Sequence, residues 1–256
     1  MRIILTMRPR KNPFIPIEAE GIVPSILMNG ADITVWEGNR ERRLDEVFEV
    51  AVEGEAATVE EVEVVLHGDT SRLKRVGEYM DGGRITVEGD IGMHCGNFMK
   101  AGTIEVMGNA AGWFARELRG GTVVCRGDAG HYCASGYRGE KKGMTGGRVE
   151  VFGNAGDFAA EHLAGGEVVI HGNCGDMAGV EMHGGTLSIG GDCSRPCGNM
   201  TGGTCTVLGC AYGMIPTFQA KGETNGPDGK NISAFTGDIA NRGKGSLLVR
   251  RYQYLK

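Results

Sequence analysis

GGRVEVFGN at residues 146–154 and GGEVVIHGN at residues 165–173 share one pattern: two glycines, five further residues, and a glycine followed by asparagine. Similar copies occupy 82–90, 101–109, 120–128, 184–192 and 202–210, and a weaker copy ends at Asp69. The closing glycines are Gly68, Gly89, Gly108, Gly127, Gly153, Gly172, Gly191 and Gly209. Successive closing glycines lie about 19 residues apart, except for a longer step from Gly127 to Gly153. This spacing predicts an array of repeats with one seven-residue insertion.

Apolar residues occupy fixed positions in every copy. The residues four and two before the closing glycine are Val64/Leu66, Ile85/Val87, Ile104/Val106, Val123/Cys125, Val149/Val151, Val168/Ile170, Leu187/Ile189 and Cys205/Val207. The residue between each pair varies, and this alternation predicts a short strand with one buried face. A third apolar column comprises Met80, Met99, Leu118, Met144, Leu163, Met182 and Met200.

The glycines and the Asp or Asn residues that follow them indicate turns. The closing glycine provides either a positive φ or a close backbone approach. The Asp or Asn side chain fits a turn in which it bonds its own backbone. These turns account for 45 glycines among 256 residues, about 18% against an average near 7%. With only 7 prolines, the composition excludes collagen.

Identical positions repeated about every 19 residues indicate a solenoid, because one repeat is too small to fold alone. We therefore predict an all-β protein, a right-handed parallel β-helix of about eight coils with irregular capping ends. A strand spacing of about 4.8 Å gives a rod of roughly 35–40 Å. Leucine-rich repeats need a Leu-x-x-Leu-x-Leu frame, which is absent, and left-handed hexapeptide helices need periods that are multiples of six.

The chain is predicted to form one structural domain in three segments. Residues 1–60 are an N-terminal cap with strands near 33–36 and 47–53. Val50 and Val52 precede Gly54 at the same spacing as the two buried strand residues of each repeat. Residues 61–212 hold the repeats. Residues 213–256 form a C-terminal extension, irregular over 213–246, with a last strand at 245–251. Atypical ends are expected of a repeat array, since the terminal repeats must be capped.

Charge and hydropathy exclude several classes of protein. The net charge of −5 argues against a nucleic-acid partner. No run of 18 apolar residues exists, so no membrane span is expected. The apolar run in MRIILTMRPR is too short for a signal peptide. Eight cysteines without such a peptide fit a reducing compartment, and a cytoplasmic location is expected.

No catalytic, cofactor-binding or metal-binding motif is present. The cysteines form no C-x-x-C pair, unlike iron–sulfur ligands. Three of them, Cys95, Cys133 and Cys197, lie in a column six residues after the closing glycine. The column also contains Phe114, Ala159, Ala178 and Ile215. Because alanine occurs at the same position, these cysteines are expected to act as small hydrophobic residues. The six histidines lie at different repeat phases, and no Gly-x-Ser-x-Gly or H-E-x-x-H motif occurs. We expect no catalytic residue and no bound cofactor in this chain.

The preceding column is bulky: His94, Trp113, Tyr132, Phe158, Met177, Pro196 and Met214. Neighbouring residues of an extended segment point to opposite faces. If the small column faces inward, the bulky one forms an outward apolar stripe that marks a partner surface. The alternative is that the bulky column packs inward.

The seven-residue insertion follows Gly130 and carries charged residues. Insertions in solenoids map to loops on one face, often the binding face. The alternative is a solvated charged loop. The candidate partner interface comprises Trp113, Tyr132, Phe158, Met177, Tyr137, Arg138, Lys141 and Phe218.

The frame in MTGGRVEVFGN (144–154) and MHGGTLSIGGD (182–192) resembles that of the C subunit of formylmethanofuran dehydrogenase. The segments GMIPTFQ (213–219) and FTGDIANRGKGSLLVR (235–250) resemble its C-terminal part. The resemblance covers about residues 60–250. The repeat is also similar to that of the C-terminal domain of the large glutamate synthase subunit and to that of the C subunit of the bacterial formyltransferase/hydrolase complex. The C-terminal segments favour the dehydrogenase.

The resemblance implies a role in reducing CO2 with ferredoxin-type electrons and fixing it on methanofuran as N-formylmethanofuran, the first step of methanogenesis from CO2. It implies three kinds of partner: a molybdenum- or tungsten-pterin subunit, an amidohydrolase-type subunit with a dinuclear metal site, and polyferredoxin subunits with iron–sulfur clusters. The C subunit would be a non-catalytic scaffold that holds these partners in register. The alternatives are a free-standing glutamate-synthase-like β-helix module, the C subunit of a formyltransferase/hydrolase complex and, less favoured, an autonomous β-helix enzyme acting on a sugar or acyl donor.

Overall fold

The computed structural model describes residues 1–30 and 32–255. Ala31, in the predicted N-terminal cap, and Lys256, in the predicted C-terminal extension, lie outside the described residues. The strands are β1 (Arg2–Met7), β2 (Ile17–Glu18), β3 (Thr34–Glu37), β4 (Arg40–Arg43), β5 (Phe48–Glu53), β6 (Glu63–His67), β7 (Leu73–Lys74), β8 (Asp81–Val87), β9 (Ala101–Val106), β10 (Thr122–Cys125), β11 (Arg148–Val151), β12 (Glu167–Ile170), β13 (Thr186–Ile189), β14 (Cys193–Ser194), β15 (Thr204–Met214), β16 (Gln219–Asn225), β17 (Asn231–Gly237) and β18 (Gly245–Tyr254).

Helical structure is confined to short segments within the described residues. The α-helices are α1 (Pro24–Leu27) and α2 (Leu44–Val47), and two single 3₁₀ turns are at Val59–Glu61 and Ile239–Asn241. The prediction of an all-β protein is confirmed. No helix in this part of the chain is long and apolar enough to cross a membrane.

The repeat strands lie side by side in one large sheet. Its order is β16-β17-β18-β15-β13-β12-β11-β10-β9-β8-β6-β1-β5, with β14 beside β15. From β6 to β15 the neighbours are parallel, and equal repeat positions meet, as where Val123 of β10 pairs with Ile104 and Val149. The sheet becomes antiparallel at its two ends, at β5 and at the β16–β17–β18 meander. A small sheet, β4-β3-β2-β7, lies beside the N-terminal end.

A second line of contacts joins the repeats outside the main strands. Single parallel bridges link Ile91 to Ala110, Ala110 to Ala129, Ala129 to Ala155, and Ala155 to Cys174. Each of these residues directly follows the Asp or Asn of its repeat. Each repeat is therefore hydrogen-bonded to its neighbour at two separate places.

The predicted apolar columns form the core. The two strand positions of every repeat are buried, as is the column of methionine and leucine that begins at Met80 and ends at Met200. Burial of each large aliphatic side chain contributes roughly 1.5–3 kcal/mol to stability. Because the same position of each repeat stacks on the last, the core is continuous from β1 to β18.

Glycines have two different roles in the stack. The closing glycine Gly127 allows a close approach, because a Cβ there would lie 2.8 Å from the carbonyl oxygen of Gly108. The second glycine of the pair, Gly121, has a φ of +78°, and its Cβ would lie 2.7 Å from the oxygen of Gly102. Of the two roles predicted for Gly127, the close approach is therefore the observed one.

The Asp and Asn side chains after the closing glycines form a ladder between repeats. Asn109 Oδ1 accepts a hydrogen bond from the backbone N–H of Asp128 at 2.9 Å, and Asp128 Oδ1 accepts from that of Asn154 at 2.7 Å. Asn154 Oδ1 accepts from the N–H of Asn173 at 2.9 Å. The prediction that these side chains bond their own backbone holds at Asp69, whose Oδ1 accepts from the backbone N–H of Ser71 at 3.2 Å. It is wrong from Asp90 to Asp192, where each side chain bonds the next repeat.

The two ends depart from the sequence-based expectations. Ile3 and Leu5 of β1, not Val50 and Val52, continue the buried columns, since they pair with Val64 and Leu66. Val52 is 53% exposed because β5 lies antiparallel at the sheet edge. The excursion at 213–246 is not irregular, because most of it forms the hairpin β16–β17. The three-segment division of the chain remains a prediction.

Candidate partner-binding face

An aromatic ladder runs along one outer edge of the stack. It consists of His94, Trp113, Tyr132 and Phe158, one from each of four successive repeats. Neighbouring rings are stacked, with centroids 6.1 Å, 4.2 Å and 5.0 Å apart in that order. Interplanar angles of 5° and 6° in the two closer pairs show parallel stacking. Met177 occupies the next position and is half-buried like the rings.

Backbone conformation aims these side chains outward. Each ladder residue is in the left-handed region, with φ between 59° and 67°. This conformation is uncommon for bulky residues, and it is fixed here by hydrogen bonds to the next repeat. The N–H of Trp113 donates to the carbonyl of His131 at 2.9 Å, and that of Tyr132 donates to Asp157 at 2.8 Å. The following residue of each repeat, such as Cys133 or Ala159, is fully buried.

The ladder register shifts by one residue after Met177. Pro196 and Met214, which the sequence assigned to the bulky column, are buried. Arg195 takes the ladder position instead, with a φ of 46° and its N–H bonded to the carbonyl of Tyr212. The reason is that the last repeat is one residue shorter than those before it, between the closing glycines Gly191 and Gly209.

The insertion folds back beside the ladder. The Tyr137 ring lies 5.1 Å from that of Trp113, tilted by 48°. The loop is anchored to the next repeat, since Gly136 donates its N–H to the carbonyl of Glu161 and Gly143 donates to that of His162. Arg138 and Lys141 are exposed at its tip. The structure thus brings five of the eight predicted interface residues to one side: Trp113, Tyr132, Phe158, Met177 and Tyr137. Arg138 and Lys141 lie in the loop that carries Tyr137.

Phe218 is the exception and corrects the sequence-based assignment. Its side chain is only 3% exposed. It packs on the backbone of Gly237 so closely that a Cβ there would lie 2.6 Å from the ring. Phe218 therefore belongs to the core under the C-terminal hairpin and is not accessible to a partner.

A polar recess of about 330 Å³ adjoins the ladder at His94. Glu78 and Asn97 are buried in it, and Glu78 forms an ion pair with Arg75 at 2.6 Å. Asn97 Oδ1 accepts a hydrogen bond from the backbone N–H of Arg116 at 3.2 Å. Burial raises the pKa of the Glu78 carboxyl, and the Arg75 guanidinium opposes that change. These buried polar residues are absent from the sequence-based candidates.

His94 joins the recess to the ladder. Its Nδ1 lies 3.1 Å from Asn97 Nδ2, which as an amide nitrogen can only donate. This contact places the ring proton of neutral His94 on Nε2. Burial, followed by the nearby Arg116 charge, lowers the pKa of His94 from 6.5 to about 4. The ring is therefore neutral near pH 7.

Replacing His94 with phenylalanine should flatten the pH dependence of stability. In the unfolded chain His94 takes up a proton as the pH falls through 6.5, whereas the folded chain resists until about pH 4. The contribution of neutral His94 to the free energy of unfolding is therefore fully present above pH 6.5. It decreases towards pH 4, by roughly 1–3 kcal/mol for a shift of this size. Phenylalanine keeps the stacked ring and removes the proton site.

The measurement is the free energy of unfolding in urea at intervals from pH 4 to pH 7.5. His131→Gln is the matched control, because it removes one exposed histidine from the same side of the stack. We expect the control to retain the wild-type slope. An unchanged slope in His94→Phe would show that His94 is not desolvated.

All eight cysteines are reduced and buried within the described structure. Burial raises the pKa of the Cys125 thiol to about 11 and that of Cys174 to about 12. Such thiols carry little of the reactive thiolate at neutral pH. Among residues 1–30 and 32–255, no three His, Cys, Asp or Glu side chains are arranged to hold a metal ion.

The chain is similar to subunits of two kinds of complex. No family model matches the chain. In sequence it is similar to the C subunits of formylmethanofuran dehydrogenases. It is 36% identical over 100 residues to that of the tungsten-containing enzyme 2 of Methanothermobacter wolfeii, and 37% identical over 91 residues to that of the molybdenum-containing enzyme 1 of Methanosarcina barkeri.

These alignments are partial. They cover 37% and 34% of this chain and 36% and 30% of the respective relatives, so the chain spans about a third of their length. In structure the likeness extends over nearly the whole chain. A chain of the formyltransferase/hydrolase complex (FhcABCD) from Methylorubrum extorquens, in complex with methylofuran, matches with a TM-score of 0.85 and 26% identity, over 96% of this chain and 98% of that one.

Proposed function

We propose that this chain is a non-catalytic scaffold subunit of formylmethanofuran dehydrogenase. The observation that carries the proposal is the aromatic ladder from His94 to Phe158, beside the exposed Tyr137. Half-buried aromatic residues spanning several repeats are typical of a surface covered by another protein, and aromatic residues are enriched in interface cores. The partial sequence likeness to the dehydrogenase C subunits supports the choice of complex.

The scaffold role also requires a stiff body. We propose that the stacked repeats form a right-handed parallel β-helix, because each repeat meets the next through a strand pair, a second bridge and the Asx ladder. Nearest-neighbour contacts of this kind couple the repeats into one rod. A rod of roughly 35–40 Å offers long faces on which several subunits can dock in fixed register.

The proposal includes the partners and the compartment. The chain would bind a molybdenum- or tungsten-pterin subunit, an amidohydrolase-type subunit with a dinuclear metal site, and polyferredoxin subunits, in the cytoplasm. The low-potential electrons, the pterin and the metals would all reside in those partners. The assembly would reduce CO2 and fix it as N-formylmethanofuran. This chain would hold the catalytic subunits in fixed positions and take no part in the chemistry.

A second candidate is the C subunit of a formyltransferase/hydrolase-type complex. It is favoured by the structural match, which spans 96% of this chain. A match of that extent includes most of 213–250. The C-terminal segments that favoured the dehydrogenase therefore do not separate the two complexes.

Purification of the native assembly separates the two candidates. We expect the chain to co-purify with subunits that contain molybdenum or tungsten and iron–sulfur clusters, detected by metal analysis and native mass spectrometry. Recovery with a formyltransferase-type subunit and without a pterin metal would favour the second candidate. Recovery of the chain alone would contradict both and would favour a free-standing module.

Replacing Trp113 with alanine should weaken assembly while sparing the fold. Trp113 stacks at 4.2 Å on Tyr132 and contacts Tyr137, so it lies at the centre of the ladder. A central tryptophan of an interface contributes about 2 kcal/mol or more, which corresponds to about a 30-fold loss of affinity. Affinity for the purified partner subunits and the Tm of the isolated chain are the two measurements.

The matched control is Phe152→Ala. Phe152 is an exposed aromatic residue that stacks on His171 along the strand face, away from the ladder. We expect its loss to leave partner affinity within a factor of about three. A Trp113→Ala variant with unaltered assembly and a Tm loss like that of a core truncation would show that the ladder serves the fold alone.

A further inference from the structure

Arg116 lies in the recess beside the ladder, and its one ion pair within the described residues, with Glu117, is too long for a hydrogen bond. Its guanidinium carbon lies 4.5 Å from the ring centroid of Phe98 and 4.7 Å from that of Tyr137, so the group is held between two rings. Its side chain is 11% exposed, and its Nε is buried with no hydrogen-bond partner within the described residues. The nearest carboxylate, that of Glu117, is 3.8 Å from Nε, beyond hydrogen-bond distance.

The other two cations of the recess are matched. Arg75 is paired with Glu78 at 2.6 Å, and Lys74 is paired with Glu18 at 3.1 Å. The charged side chains that line the recess are Glu18, Lys74, Arg75, Glu78 and Arg116. The lining side chains thus carry one positive charge in excess, and Arg116 is the cation among them whose ion pair, with Glu117 at 3.8 Å, makes no hydrogen bond. A guanidinium that is mostly buried, whose Nε makes no hydrogen bond within the described residues and whose ion pair with Glu117 is as long as 3.8 Å, is incompletely compensated by the fold and can gain from a carboxylate outside it.

Three features of the recess fit a carboxylate. The guanidinium is a planar fork that binds a carboxylate through two parallel hydrogen bonds. The net charge of one favours a single negative charge over a phosphate dianion, which Glu18 and Glu78 would repel. The His94 ring also lines the recess, and the Asn97 contact at its Nδ1 leaves Nε2–H as a further donor.

We propose that this recess receives the side chain of one Asp or Glu of the partner subunit that covers the aromatic ladder. The inference rests on the proposed scaffold function, because it assumes that a partner covers this face. The recess and the ladder share His94, and Tyr137 contacts both Trp113 and Arg116. A partner seated on the ladder would therefore close over the recess, exclude water and strengthen the ion pair.

The test uses Arg116→Met, which keeps the length of the side chain and removes its charge. We expect the isolated chain to keep or raise its Tm, because an incompletely compensated buried charge is lost. We expect its affinity for the partner subunits to fall at least roughly tenfold, because the partner carboxylate is then buried without a cation. Arg116→Lys should recover part of that affinity, and less than wild type, since lysine lacks the fork.

Arg119→Met is the matched control. Arg119 also lies over Phe98, at 5.4 Å, but it is exposed on the outer side of the stack. Its replacement should leave the affinity unchanged. A double-mutant cycle with Asp→Asn and Glu→Gln variants of the partner should find one residue whose loss is non-additive with Arg116→Met.

The possible outcomes are distinct. Failure of the wild-type chain to bind any partner contradicts the scaffold function itself. Binding that is equal in Arg116→Met and wild type overturns the carboxylate recess and leaves the scaffold function intact. A large Tm loss in Arg116→Met would assign Arg116 to the fold. Saturable binding of millimolar acetate to the isolated chain, followed by NMR of the Tyr137 and His94 signals, would assign the recess to a free carboxylate instead of a partner.

Discussion

Replacing Val151 with aspartate is expected to unfold the middle of the repeat stack. The Val151 side chain is fully buried, and in register it pairs with Cys125 on one side and Ile170 on the other. These two neighbouring positions are apolar and buried, so they offer no positive charge to neutralise a carboxylate. Burying an unpaired charge costs several kcal/mol, which is a large part of the stability of a domain.

The damage should extend beyond one repeat, because each repeat derives its stability from its neighbours. We expect a Tm loss of at least about 10 °C, or an insoluble chain, measured by circular dichroism and by solubility. Val169→Asp is the control, since Val169 lies on the outer side of the adjacent strand between Glu150 and Ser188. A Val151→Asp variant that melted like the control would refute the inward assignment of the column.

The sequence was sufficient to predict the strand columns because burial there follows two regularities, alternation within each strand and a fixed repeat period between strands. Val123, Val149 and Val168 stand at equal positions in the sequence and pair in register in the structure. What the pattern did not reveal is which atoms join the repeats. Asn109 and Asp128 fit a local turn equally well in sequence, and only the structure shows that each bonds its neighbour.

The direction of the ladder could not be derived from residue types alone. The sequence left open whether Trp113 or Phe114 faces inward, because both are large and apolar. The structure resolves this through the left-handed backbone at Trp113, with a φ of 63°, which turns that side chain outward and leaves Phe114 buried. Left-handed tryptophan is too rare to be expected from composition. The spacing of 18 residues from Gly191 to Gly209 shows that one residue is missing but not where, so the shift at Arg195 could not be assigned from the sequence.

The recess carried a signal in the sequence. Glu78, Asn97 and Arg116 occupy the same position of three successive repeats, so the repeat period places them side by side. In the later repeats the same column holds Ser135, Glu161 and Val180, joined to its neighbours by the same backbone bonds. This polar column is absent from the sequence-based candidates, although a polar column in a stacked array brings charged groups together in the same way that an apolar column builds a core.

The second large effect is expected at Gly166, where alanine should separate two neighbouring repeats. Gly166 has a φ of +82°, which costs a residue with a Cβ about 1–2 kcal/mol. Its Cβ would also lie 2.6 Å from the carbonyl oxygen of Gly147 and 2.6 Å from the Met144 methyl. The Met144 methyl can move, whereas the Gly147 oxygen belongs to the hydrogen-bonded backbone of the neighbouring repeat. Overpacking of this kind costs about 1–3 kcal/mol more.

Gly139→Ala provides the control that separates these two costs. Gly139 has a φ of +90° in the insertion, and nothing lies within 4 Å of a Cβ built there. Alanine at Gly139 should therefore lose about 1–2 kcal/mol or less, and alanine at Gly166 about 2–5 kcal/mol, in urea unfolding. Equal losses would mean that conformation alone requires glycine in this sequence. A larger loss at Gly166 would mean that the abundant glycines set the distance between repeats, which no other residue can reproduce because every other side chain begins with a Cβ.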